Sequence, residues 1–446
     1  MLARLQRLIA EHLSTLVALY QAAGKTFPLV FRRELELFFT CGERAYGSAM
    51  AGCSACGHVR VIHFSCKRRS LCWRCIARRR DECVPHVMRT LPRTDMRHWV
   101  LTMPMELRIH LRRYPPLLSK VRRSFVRAIR HHLRMRAKRY LGLKTVRFAH
   151  SGAISVTHLT SANLARNVHF HAIVPDGVFI EDPVTGEITF YTLSAPTSDD
   201  LTKVAWQVCK QTCALLRRYQ RWTDSPEPVE RGTIRGTIAL GRPRDVTFTA
   251  ACTLARAPQV SNAFQAWASD SIHRLNRAGL KNLVLYLLSP AVTERQLSIL
   301  PGDRVRFRFK RPRWDGTASE TFAAHEFIRA LTGLIHHPRA HALEYHGVLG
   351  RNSKIQERVA PSWTSTSQPP QVHHDRESLE YRAARVILSR RAHRSMDRCA
   401  VCFHAVTLLA LATHNFRYTN PRWRPPDTPD LPTAHPPPRT ATRGAN

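Results

Sequence analysis

Three groups of residues have types and spacings that can do chemistry. The first is Cys53-Ser54-Ala55-Cys56 and Cys72-Trp73-Arg74-Cys75, two CxxC knuckles separated by fifteen residues. A CxxC turn aims both sulfurs at one ion, so two knuckles supply the four thiolates of a tetrahedral structural zinc. Gly57, directly after Cys56, suits the tight turn. Cys41, Cys66 and His63 lie nearby in sequence. They could join a second site, replace one ligand of the first, or be ordinary small core residues. Lys67, Arg68 and Arg69 lie between the knuckles, and Arg78, Arg79 and Arg80 follow the second. Positive charge beside a rigid turn suits phosphate contact; a solvated basic face is the plainer alternative.

The second group is His169 and His171, in Val168-His169-Phe170-His171-Ala172-Ile173-Val174. Side chains alternate across a strand, so the two imidazoles share one face while Val168, Phe170, Ala172 and Val174 enter a core. Two imidazoles one pleat apart can chelate one divalent ion. An isolated HxH is a weak motif, and a third ligand must come from elsewhere. His158 ends the preceding period-two stretch, and antiparallel pairing could bring it beside the histidine pair. A polar strand end explains it equally well.

The third is Tyr286. Leu280, Leu283, Val284, Leu287 and Leu288 form one apolar stripe at helical spacing, which Pro290 ends. At roughly 100° per residue, Tyr286 projects about 130° from the centre of that stripe. A phenol held off the core on a packed helix can act as a nucleophile, although a lone tyrosine on a helix is ordinarily amphipathic packing.

The elements that must position these groups follow from periodicity. Leu2, Leu5, Leu8, Ile9, Leu13, Leu16 and Val17 predict a helical lead-in, and residues 107–147 a basic helical stretch. From Gly152 the period changes to two, with strands over Ala153–Thr157, Val168–Val174 and Val305–Phe309. Past Pro361 the composition turns polar, and the Pro-rich end, residues 425–438, is expected to be disordered.

Composition bounds the partners. The 446 residues hold 69 Lys and Arg against 32 Asp and Glu, a net charge of +37. Such an excess is best tolerated beside a polyanion, and nucleic acid is the first candidate. An anionic membrane is the rival, yet no run of about 18 apolar residues exists to span one. Seven of the 12 cysteines fall between Cys41 and Cys83, which in a reducing compartment points to metal rather than disulfides. The expectation is a cytosolic protein acting on DNA, with no membrane partner and no cleaved leader.

Taken together, these residues resemble the HUH transposases of rolling-circle insertion sequences, including the common-region elements. Cys41-Gly42, Cys53-x-x-Cys56-Gly57 and Ser65-Cys66-Lys67-x-Arg69-x-x-Cys72-x-x-Cys75-x-x-Arg78-Arg79 are similar to that family's zinc-binding domain. Trp99-Val100-Leu101-Thr102-x-Pro104 resembles the start of its catalytic domain, and Gly152 through His171 with Asp176-Gly177-Val178-Phe179 its HUH segment. Tyr286-x-x-x-Pro290 with Glu294, Arg295 and Leu297 resembles its tyrosine helix. Lys310-x-Pro312, Asp315-Gly316-Thr317 and Tyr345-His346-Gly347-Val348 complete the match. Some members carry a second tyrosine where this chain has Pro290, so only single-tyrosine chemistry is implied. Leu285 stands where many have Arg, and His158 where many have Gln. Cys399-x-x-Cys402 resembles a remnant of the family's C-terminal CxxC, with no second knuckle accompanying it.

The resemblance implies an α+β fold: an HUH endonuclease-like antiparallel sheet flanked by helices, preceded by a small helical and zinc-ribbon domain. It implies a lead-in plus zinc-binding domain over 1–94, a catalytic domain over 95–355 and a basic, partly disordered tail over 356–446. It further implies nicking and rejoining of single-stranded DNA at element ends and target DNA through a 5′-phosphotyrosine at Tyr286. Mg²⁺ or Mn²⁺ would sit on His169, His171 and His158, and structural Zn²⁺ on thiolates drawn from Cys53, Cys56, Cys72, Cys75, Cys66 and Cys41. Lys67, Arg69, Arg78, Arg79 and Lys310 would contact DNA. A homo-oligomer is left open. The principal alternative is a non-catalytic zinc-ribbon DNA-binding regulator, which explains cysteines and charge but leaves the histidines and Tyr286 idle.

Overall fold

The computed structural model describes residues 4–223, 264–313, 315–336 and 341–360, with 384, 387, 401, 406–412 and 417–419. In chain order the elements used below are α1 (Arg4–Ala22), β1 (Ser48–Cys53), β2 (Val59–His63), α2 (Trp73–Thr90), β3 (Met96–Thr102), α3 (Pro115–Tyr140), β4 (Gly152–Thr160), β5 (Arg166–Pro175), α4 (Ser198–Thr223), β6 (Gln265–Ile272), α5 (Arg277–Leu288), β7 (Leu343–Gly347), β8 (Val406–Ala412) and β9 (Arg417–Thr419). They fall into two compact units: Met1–Leu35 with Arg68–Pro370, and Glu36–Lys67 with Gln371–Asn446. Neither unit is continuous in sequence, so the division does not follow linear boundaries.

The larger unit is built on a five-stranded sheet in the order β7-β4-β5-β3-β6. Every neighbouring pair is antiparallel. Alternation sorts the side chains to two faces. Trp99, Leu101, Val168, Phe170, Ala172 and Val174 go to one face and pack with α3 and α4 through Phe125, Ile129, Leu133 and Val208. Ile154, Val156 and Ile173 go to the other and pack with α2 and α5 through Val84, Val87, Leu280, Val284 and Leu287. A β-bulge between His158 and Thr160 shifts the register at the end of β4.

The lead-in helix is as periodicity predicts, but α1 packs against the helix Ala324–Leu331 of the larger unit. The basic stretch becomes two helices, Met105–Arg113 and α3, broken at Tyr114 before Pro115 and Pro116. α3 is largely a core helix. Val121, Phe125 and Ile129 are buried. Arg122 is buried too and donates to the Glu344 carboxylate at 2.6 Å.

The smaller unit carries a four-stranded sheet in the order β9-β8-β1-β2. Ala49, Ile62, Phe64, Leu408 and Leu411 form its core. Gly47 turns into β1 at φ +117, where a Cβ would meet the Phe64 ring at 2.6 Å. The apolar run Val406–Ala412 was hidden in a segment whose overall composition reads as polar, and it forms strand β8. The Pro-rich end and Cys399-x-x-Cys402 lie outside the described residues. Among the described residues no helix is long and apolar enough to cross a membrane.

Candidate active site

β4 and β5 form the antiparallel hairpin that builds the site. Its register sets His158 directly opposite His169. His171 lies one pleat further along β5, on the same face. One ligand nitrogen from each of the three imidazoles falls within 4.8 Å of the others. Ring centroids are 4.4 Å apart for His158 and His171, 4.8 Å for His169 and His171, and 5.3 Å for His158 and His169.

Each ring is held from outside by its other nitrogen. His169 Nδ1 meets the Asn167 carbonyl at 2.8 Å. His158 Nε2 meets the Leu287 carbonyl at 2.9 Å, which ties the ring to the last turn of α5. His171 Nδ1 lies 2.9 Å from Nε2 of His98 on β3, and the two rings stack with centroids 5.1 Å apart. Outer partners of this kind fix the tautomer and aim the remaining nitrogen. His171 Nε2 is buried and has no hydrogen-bond partner among the described residues. A buried acceptor left in that state is costly unless something binds it. Three neutral imidazoles converging on one point, one of them orphaned, fit a divalent cation.

Burial keeps the rings neutral. It lowers His158 to about 3, helped by the charge of His169, and His98 to about 4. His171 is pushed down by burial and then by its neighbours His158 and His169, and His169 is lowered by burial. Neutral imidazole is the metal-binding form.

Tyr286 stands beside this group. Leu280, Val284 and Leu287 anchor α5 in the core while Tyr286 remains half-exposed. Asn276 caps the helix by accepting from the Gly279 N–H at 2.8 Å. The phenol ring lies 6.4 Å from His158 and 6.5 Å from His171, centroid to centroid. The Arg311 guanidinium sits 5.5 Å from the same ring, a cation–π contact. Lys310 Nζ donates to the Pro290 carbonyl at 2.6 Å. Burial, then repulsion from Arg80, lowers Lys310 to about 8. A cavity of about 400 Å³ is lined by His158, His169, Tyr286, Arg69, Arg79 and Lys310.

The sequence expectations thus converge unevenly. His158, His169, His171 and Tyr286 come together, with Arg69, Arg79 and Lys310 on the same cavity wall. Arg78 is paired with Glu82 at 2.5 Å on α2. Lys67 sits in the smaller unit with a left-handed backbone, φ 53. Of the six cysteines singled out, Cys41, Cys66, Cys72 and Cys75 have sulfurs within 4.8 Å of one another. Cys53 and Cys56 are not in that group. Cys53 ends β1 and Cys56 lies in the turn after it. Sequence reasoning missed His98 and Arg311. His98 had a readable signal, as the polar residue on one face of the period-two run Met96–Thr102.

Residues 11–103 match the family described as "Transposase zinc-binding domain". Residues 152–356 match the family described as "Putative transposase". Both matches are to transposase domains, and over these two stretches the chain is similar to transposases. The histidine group and Tyr286 lie inside the second match, and the four-thiol group inside the first. A 165-residue stretch of the chain is 28% identical to "Putative transposase y4qJ" of Sinorhizobium fredii (strain NBRC 101917 / NGR234). That stretch spans 36% of this chain and 39% of the relative. No solved structure matches the chain. The thiol group and the zinc-domain match together support a structural zinc ion.

Proposed function

We propose that this transposase nicks and rejoins single-stranded DNA at the ends of its element, using Tyr286 as nucleophile on an HUH-type sheet. The observation that carries this reading is the placement of the Tyr286 ring 6.4 and 6.5 Å from His158 and His171, with Tyr286 and His158 lining one cavity together with Arg69, Arg79 and Lys310.

The chemistry follows from the residues. Tyr286 Oη attacks the scissile phosphorus. The new Tyr–O–P bond forms as the P–O3′ bond breaks, leaving a 5′-phosphotyrosine and a 3′-OH that takes up a proton. The phenol proton passes to solvent. The phosphodiester energy is retained in the protein–DNA bond, so a second 3′-OH can reverse the step without a nucleotide cofactor. His158, His169 and His171 would hold Mg²⁺ or Mn²⁺, which when bound polarises the scissile phosphate and neutralises developing charge. Oxygen-rich phosphate favours these harder ions over zinc. Arg311 steadies the phenol ring. Arg69, Arg79 and Lys310 neutralise backbone phosphates along the cavity.

The test is incubation of the full chain with 3′-labelled single-stranded element ends and Mn²⁺, read as an SDS-resistant adduct. The parental protein forms the adduct and Tyr286→Phe binds the DNA without forming it. An adduct from Tyr286→Phe ends the assignment of the nucleophile. Metal-dependent nicking also separates this reading from a non-catalytic DNA-binding regulator, which would bind and leave the strand intact.

A further inference from the structure

We propose that Trp267 is a stacking platform for one unpaired nucleobase of the DNA strand, set beside the histidine group on the open half of the same sheet face. This rests on the single-stranded substrate of the proposed function and adds a binding residue to it. Alternation places the side chain. Phe264, Ala266 and Ala268 pack into the core that holds α3 and α4, so Trp267 goes to the opposite face of β6. Register places it further. Trp267 lies opposite Val100 of β3, and Val100 lies opposite His171 of β5. The three residues form one row across neighbouring strands, which puts Trp267 two strand spacings, about 10 Å, from the His171 backbone. Ring contacts follow the same path. Trp267 meets His98 edge-on with centroids 5.8 Å apart, His98 stacks on His171 at 5.1 Å, and the Tyr286 ring lies 6.5 Å from His171.

The indole is open to an occupant. Trp267 is 52% accessible, and no other tryptophan among the described residues is exposed. Val100 beside it is only half-buried. α5 covers Met96, Ile154, Val156 and Ile173 on this face, and among the described residues neither Val100 nor Trp267 joins that core. β6 is the edge strand of the sheet, so the row runs out to its side. A large apolar ring exposed at the rim of a polar site marks a binding surface. Charge then selects the ligand. The chain carries a net charge of +37. Burial lowers His169 and repulsion from Arg108 adds to it, so the charge of that guanidinium reaches the histidine group. Arg108 is held at the end of β3, where its Nε donates to the Met103 carbonyl at 2.6 Å. A flat apolar ring among cations suits a flat neutral ring on an anionic backbone, which is a base of a single strand. Duplex bases are closed to it, because their faces are already stacked on each other. Trp267 does not line the cavity, so this surface extends the site beyond it. Stacking would fix one base close to the phosphate that Tyr286 attacks and leave the phosphates to the basic wall.

The experiment measures affinity of the full-length protein for a labelled single-stranded oligonucleotide carrying one element end, and for the same sequence as duplex, with no Mg²⁺ or Mn²⁺ added. Trp267→Ala should weaken single-strand binding about tenfold while duplex affinity and the salt dependence stay at the parental values. Trp267→Phe, which keeps a ring, should recover most of the loss. In an abasic scan of the oligonucleotide, one position should weaken parental binding and cost nothing further in Trp267→Ala. Parental single-strand affinity in Trp267→Ala, an equal loss on duplex, or the same abasic profile in both proteins would each overturn the proposal. A Trp267→Ala protein that binds DNA as the parent does but needs more Mn²⁺ for nicking would also overturn it and make the indole a cover for His98. The two readings fail separately. An adduct formed through Tyr286 with no effect of Trp267→Ala removes only the stacking site, and a lost base contact in a protein that never forms the adduct removes only the catalytic reading.

Discussion

The histidine group and the four-thiol group both gather ligands, by opposite means. The imidazoles ride on one hairpin, where the register puts His158 opposite His169 and the pleat puts His171 on the same face. Each ring is fixed by an outer partner before any ion arrives. Cys41, Cys66, Cys72 and Cys75 are spread over loops and a helix start, and no comparable scaffold aligns them. A preformed imidazole group could exchange an ion and remain folded, which suits the strand-joining role proposed for it. A thiol site assembled from loops makes metal binding part of folding. The two groups should therefore respond differently when perturbed.

The largest expected effect is on the hairpin. His169→Ala with His171→Ala should lower nicking at least about a hundredfold, the scale of several kcal/mol of lost charge stabilisation. The melting curve should move far less than the rate, because the orphaned buried nitrogen of His171 leaves with its ring. Comparable nicking rates in the variant and parent would break the comparison at its catalytic side. A large fall in melting temperature would show that the imidazoles hold the fold instead.

The thiol group should behave the other way round. Cys72→Ser should cost several kcal/mol of stability, about 10 °C in melting temperature, with loss of one zinc. Mild chelation followed by Mn²⁺ should restore nicking to the parental chain, whereas stripping zinc with an organomercurial should not be reversed by Mn²⁺. Calorimetry with metal analysis reads both arms. A Cys72→Ser protein that melts at the parental temperature would mean the thiols are ordinary core residues.

A smaller effect tests preorganisation itself. His98 touches His171 and is not among the residues lining the cavity, so its proposed role is to position that ring. His98→Ala should raise the Mn²⁺ concentration for half-maximal nicking about tenfold to a hundredfold while the rate at saturating Mn²⁺ stays within a few-fold. His98→Gln, which keeps a hydrogen-bonding group, should recover part of the shift. An equal loss in rate with no change in Mn²⁺ dependence would mean His98 serves packing alone.

These contrasts also explain what was readable in advance. Alternation is local, so Val168 to Val174 announced both the core face and the histidine face of β5, and the leucine stripe announced how α5 presents Tyr286. The place of His158 beside that pair required only the assumption of a hairpin. The cysteine grouping was not readable, because CxxC spacing names a turn and not its partner. Cys72-x-x-Cys75 pairs with Cys41 and Cys66 through tertiary placement that no local period encodes. β8 was missed for a related reason: a seven-residue apolar strand was averaged into the polar composition around it, and only its pairing with β1 gives it a role. His98 was legible as a polar residue on the face of β3 opposite Trp99 and Leu101, and only the pairing of β3 with β5 brings it beside His171.

The smallest effect concerns Lys310, where the basic wall of the cavity meets the tyrosine helix. Its ammonium donates to the Pro290 carbonyl, and burial, with Arg80 nearby, lowers it to about 8. The charged form is favoured below that pH and is lost as pH rises through it. A phosphate in the cavity would favour the charged form and raise the value, so DNA binding near pH 8 should take up a proton. Affinity of the parental protein for single-stranded DNA should then fall between pH 7 and 9 by roughly fivefold, about 1 kcal/mol for one charge-assisted contact. Lys310→Arg, which stays charged throughout, should flatten that profile, and Lys310→Met should lower affinity at pH 7 and reduce the salt slope by about 0.7. A binding profile in Lys310→Arg as steep as the parent's would move the titrating group elsewhere on the cavity wall and leave Lys310 as a tether for Pro290 alone.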